Sequence, residues 1–97
     1  MSIVFSPSAQ RDLEEAHEFL SENNPAAAAR FLERLQDVLA DLDSGLIRGP
    51  EVRLRPEGKA RSWPASPYRV YYQRENDVLL VLRVYHQARA PIERTDG

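Results

Sequence analysis

The sequence predicts an α+β domain: a short N-terminal strand, an antiparallel helical hairpin, then a three-stranded antiparallel sheet packed on the helices (β-α-α-β-β-β). Three observations predict it. Apolar residues recur at helical spacing from Ala9 to Leu42, and strand-forming residues alternate from Arg69 to Tyr85. Turn residues punctuate the chain between those two regions. With 97 residues, the whole span 1–97 reads as one domain, because a split would leave neither half enough surface to bury.

The elements follow in order. Ile3, Val4 and Phe5 make a β-prone start. Ser6 supplies a hydroxyl N-cap and Pro7 suits the first helical turn, where a missing N–H costs nothing. Ala9, Leu13, Ala16 and Leu20 then line one helix face, with Asp12, Glu14, Glu15 and Glu18 on others. Asn24 and Pro25 repeat the start signal. Ala28, Phe31, Leu32, Leu35, Val38, Leu39 and Leu42 continue as a second apolar stripe that stops at Ser44-Gly45. A looser basic stretch follows Gly49-Pro50, with Arg53, Arg55, Lys59 and Arg61, and Lys59–Trp63 reads as a short strand between the turn signals Pro56–Gly58 and Pro64–Pro67.

Arg69–Gln73 and Val78–Tyr85 are the strongest strands. A three-residue loop, Glu75-Asn76-Asp77, lets residues of equal parity share a face. Tyr68, Val70, Tyr72, Val78, Leu80, Leu82 and Val84 then face the helices, while Arg69, Tyr71, Gln73, Leu79, Val81, Arg83 and Tyr85 face outward. That register sets Arg69 opposite Arg83, which is unfavourable without an anion between them. Two readings stay open: exposed arginines whose stems cover tyrosine rings, or guanidinium groups that hold a phosphate or a partner's carboxylates.

Composition narrows the function. The absence of cysteine excludes disulfides and thiolate metal sites. Met1–Phe5 is too short and lacks the basic start of a signal peptide, and no apolar run reaches membrane-spanning length, so the expected compartment is the cytoplasm, with no membrane partner. The four glycines are scattered and form no phosphate loop. His17 and His86 have no matched ligand pattern, so no metal or cofactor is expected. His17 reads as a surface residue, and Glu14 and Glu18 as solvated helix carboxylates. Residues 1–47 carry three basic against nine acidic groups, a net of −6, whereas residues 48–97 carry ten against six, a net of +4. Such a split suits a basic half that meets an acidic partner.

One constellation spans nearly the whole chain. It comprises Ala9-x-x-Asp12-Leu13, Asn24-Pro25-x-Ala27-Ala28-x-x-Phe31, Pro67-Tyr68-Arg69-Val70-Tyr71-Tyr72, and Val81-Leu82-Arg83-Val84-Tyr85-His86-Gln87-Ala88-Arg89. In this order the motifs resemble the RelE/ParE superfamily of type II toxin–antitoxin toxins. The resemblance implies a toxin neutralised by a cognate antitoxin, ParD-like or other, whose disordered segment folds on binding. It implies partner contact through Arg61, Arg69, Tyr71, Arg83, Tyr85 and Arg89.

Two targets divide the superfamily. ParE-like members bind and inhibit DNA gyrase; RelE-like members cut mRNA on the ribosome. For the second role Arg61, Arg69 and Arg83 could stabilise the charged transition state and His86 could move a proton. Lys59 is the only lysine and no aromatic residue follows Tyr85, so the ending Arg83-Val84-Tyr85-His86-x-x-Arg89 resembles the gyrase-directed branch more closely. The resemblance therefore leans against an enzyme, with a ribosome-dependent endoribonuclease or a non-toxic antitoxin-binding member as alternatives. Direct sequence-specific nucleic-acid binding is not expected.

Overall fold

The computed structural model describes residues 2–54, 57–87 and 92–93. Strand β1 (Ser2–Phe5) leads into helix α1 (Pro7–Asn23), and α2 (Pro25–Ser44) returns beside it. Four further strands follow: β2 (Glu51–Leu54), β3 (Gly58–Ala65), β4 (Tyr68–Glu75) and β5 (Val78–His86). A two-residue strand, β6 (Ile92–Glu93), ends the described chain.

The helix signals act as read. Ser6 Oγ accepts from Ala9 N at 3.0 Å, and Asn24 Oδ1 accepts from Ala26 N and Ala27 N. Gly45 closes α2 with φ 82°, a left-handed cap that a side chain would disfavour. Ala9 and Ala16 on α1, with Phe31, Leu35, Leu39 and Leu42 on α2, are buried against one face of the sheet. The α+β class holds, but the sheet is larger than the three strands expected. Its order is β1-β5-β4-β3-β2-β6, with β1 parallel to β5 and every other neighbour antiparallel. The chain at Glu51–Leu54, read as irregular, pairs with β3 because Val52 and Leu54 alternate with charged residues.

The β4–β5 hairpin departs from the expected register in an instructive way. Its turn holds two residues, not three: Glu75 pairs with Val78, and Asn76 adopts φ 53° between them. Asparagine tolerates that conformation better than most residues. The odd count comes instead from a bulge opposite Tyr71/Tyr72, where Tyr72 pairs with Val81 but Tyr71 pairs with Arg83. Leu82 is the extra residue. Its carbonyl accepts from Ser6 Oγ at 2.8 Å, so the hydroxyl that caps α1 also secures the bulge.

The bulge switches the faces of β5. Leu79 and Val81 pack toward the helices before it, and Val84 does so after it, alongside Tyr68, Val70 and Tyr72 of β4. Leu80 and Leu82, expected on that side, join a second cluster with Leu54, Ala60 and Tyr71 on the opposite face. That face is therefore partly a core, and Tyr71, expected to be exposed, is fully buried.

Candidate functional site

Beyond the bulge, Arg69, Tyr71, Arg83 and Tyr85 share the sheet face turned away from the helices, as parity required. Their cross-strand partners differ from the expectation. Arg69 stands opposite Tyr85 and Arg83 opposite Tyr71, so the Arg69–Arg83 clash does not occur. The shorter turn and the extra residue at Leu82 each shift the register by one, so each arginine stands two positions along the partner strand from where it was expected.

Arg83 is bound firmly to its own protein. Its Nε donates to Asp12 Oδ2 at 2.7 Å and its Nη2 to Asp12 Oδ1 at 2.9 Å, a two-pronged pair. Glu57 Oε2 lies 3.6 Å from Nη1, and the guanidinium sits 4.3 Å from the centre of the Tyr85 ring. The hydrogen bond to Asp12 raises the Arg83 pKa above its ordinary value, outweighing the opposing effect of burial. Asp12 also accepts from Val84 N at 3.0 Å. Strand β1 has ended by that point, since its last pair is Phe5 with Val81, so the carboxylate occupies the edge a strand would otherwise fill.

The tyrosines beside it are apolar fillers with polar tips. Burial raises the Tyr71 pKa against the lowering influence of Arg69, and its hydroxyl has no hydrogen-bond partner among the described residues. Burial also raises that of Tyr85, against Arg83. Arg69 Nε donates to Ser62 Oγ at 3.0 Å. His86 lies across from Tyr68 with the rings edge to face at 5.4 Å, which turns it toward the helix side. Asp12, Phe19, Arg83, Tyr85 and His86 line a groove of about 590 Å³ along this edge. Phe19 stands 54% exposed there.

Arg61 belongs elsewhere. It pairs with Tyr72 on the helix-facing side of the sheet. Its Nη1 donates to Gly49 O at 2.7 Å, and its Nη2 reaches Glu51 at 3.5 Å. Gly49 N donates to Tyr72 Oη at 2.8 Å, and a Cβ on Gly49 would lie 1.8 Å from Ser62 O, so only glycine fits this crossing. Arg61 lines a second cleft, of about 740 Å³, with Arg48, Lys59 and Arg74.

The candidate residues are thus split. Arg83 and His86 border one groove, Arg61 another, and Arg69 is tied to Ser62 on the outer sheet face. Arg89 lies outside the described residues. Sequence reasoning missed Asp12 and Glu57 as partners of Arg83; the one available signal was Asp12 inside the Ala9-x-x-Asp12-Leu13 motif. His17, Glu14 and Glu18 are exposed helix residues. Among the described residues no group of three His, Cys, Asp or Glu side chains could hold a metal ion, and no helix is long and apolar enough to cross a membrane.

Comparison with known proteins places this geometry. A chain of the chromosomal ParDE TA system from P. aeruginosa superposes with a TM-score of 0.67 at 15% identity, covering 89% of this chain and 95% of that one. At that identity the likeness concerns the fold. No curated protein matches the sequence. The family model for the ParE toxin of the type II toxin–antitoxin system, parDE, matches residues 3–91. That match takes in the capped helical hairpin, the bulged β4–β5 pair and both clefts, and the chain belongs to the ParE toxin family, whose members pair with a cognate antitoxin.

Proposed function

We propose that this toxin acts by binding and inhibiting DNA gyrase, without cutting RNA, and that its cognate antitoxin holds it inactive. The observation that carries the reading is the state of Arg83. A transition-state cation must be free to meet developing negative charge, whereas this one is neutralised by a two-pronged carboxylate and a second acid. Arg61 lines the other cleft, so the candidate nuclease residues do not converge on one scissile phosphate. A binding mechanism requires no such convergence.

Induction of the toxin without its antitoxin tests this in cells. The proposal expects growth arrest with a DNA-damage response and unchanged mRNA ends. New cleavage sites on translated messages would instead support the ribosome-dependent nuclease, and uninterrupted growth would mark a member that has lost toxicity.

A further inference from the structure

The second cleft has features that the gyrase reading leaves unused. It lies between the C-terminal end of α2 and strands β3 and β4, and its rim carries four cations, Arg48, Lys59, Arg61 and Arg74, against two carboxylates, Glu51 and Glu75. These cations are held differently from Arg83. Arg74 donates through Nη1 to Leu42 O at 2.8 Å and through Nη2 to Asp43 O at 2.7 Å. Arg61 donates its shortest bond to the carbonyl of Gly49. Carbonyl oxygens orient a guanidinium without cancelling its formal charge, and the remaining N–H groups stay available. Arg48 and Lys59 are exposed and make no ion pair with any described residue. The cleft therefore keeps a positive balance on pre-oriented donors.

Its floor is apolar. Leu42, Ile47 and the Tyr72 ring lie beneath the charged rim, and the Tyr72 hydroxyl is already engaged by Gly49 N. A volume of about 740 Å³ admits a few side chains. An apolar floor under a cationic rim matches a peptide that combines acidic residues with an apolar one. It matches a nucleic-acid strand less well, because Glu51 and Glu75 would face its phosphates and the floor offers little to stack on.

We infer that this cleft seats an acidic, apolar-punctuated peptide segment of the cognate antitoxin. The inference rests on the family's pairing with an antitoxin and is independent of the gyrase target. The basic cleft and its acidic guest would attract each other over several ångströms, which favours rapid capture of the free toxin.

The test measures affinity of the full toxin for its cognate antitoxin at low and high salt. It uses wild type, Arg48→Glu/Lys59→Glu, the charge-keeping Arg48→Lys/Lys59→Arg, and Arg30→Glu on the acidic helical hairpin. The charge-reversed variant should bind about tenfold or more weakly with a flatter salt dependence, while the other two stay within about twofold of wild type. Both altered side chains are exposed, and an unchanged melting curve confirms folding. Wild-type affinity and salt slope in the charge-reversed variant would overturn the inference. So would loss of gyrase inhibition or of single-stranded oligonucleotide binding with antitoxin affinity intact. Weakened antitoxin binding with gyrase inhibition retained would support it.

Discussion

Arg83 and Arg61 carry the same group on the same sheet, yet their surroundings give them opposite roles. Arg83 sits where β1 has ended, with side chains only 20% and 11% exposed in the Arg83–Asp12 pair. A charge so placed must be compensated, and Asp12 and Glu57 do it. Arg61 sits at a cleft mouth, its best bond going to a carbonyl and its carboxylate contact to the exposed Glu51 at 3.5 Å. Exposed pairs of that kind add little stability. The first arginine fastens α1 to β5; the second is oriented but not used up. An arginine in a family motif is therefore no guide to function until its partners are known.

Removing the fastener should have the larger effect. Asp12→Ala would leave Arg83 half-buried with only the more distant Glu57, and would strip the acceptor from Val84 N. The expected loss is about 3 kcal/mol in urea denaturation, in the range for breaking a buried pair. A loss below about 1 kcal/mol would mean the pair behaves as a surface one, and the contrast with Arg61 would fail.

A smaller effect sharpens the same contrast from the opposite side. Tyr71→Phe removes a buried hydroxyl that has no partner among the described residues, so stability near pH 7 should hold or rise by about 1 kcal/mol. The pH dependence has a definite sign. Folding raises the Tyr71 pKa above its ordinary value of 10.0, so the folded state binds this proton more tightly. That contribution is complete below about pH 10 and is lost as pH rises from there through the folded value. Alkaline denaturation should accordingly be less steep in Tyr71→Phe than in wild type.

Much of the fold was legible in local signals. Ser6-Pro7 and Asn24-Pro25 marked both helix starts, Gly45 marked the end of α2, and the apolar stripes gave the buried faces. The hairpin was legible only in part. Parity correctly grouped Arg69 with Tyr71, Arg83 and Tyr85, but the odd residue was assigned to the turn when it lies in the strand at Leu82. A run such as Val78-Leu79-Leu80-Val81-Leu82 is apolar on both sides, so no polar residue within it reveals where the faces switch. The bulge is secured from seventy-six residues away, by Ser6 Oγ on the Leu82 carbonyl, and local reading could not find it. A separation of seventy-one residues likewise hid Asp12 from Arg83. The short strand at Glu51–Leu54 escaped because its stability comes from its neighbours more than from its own composition.

The proposed mode of action is contact with gyrase, with Arg83 serving the fold. Purified gyrase supercoiling, titrated with toxin alone and then with toxin plus antitoxin, tests it most directly. On that mode of action supercoiling should fall as toxin is added and recover when antitoxin is present. Unaltered supercoiling at a large toxin excess would contradict it.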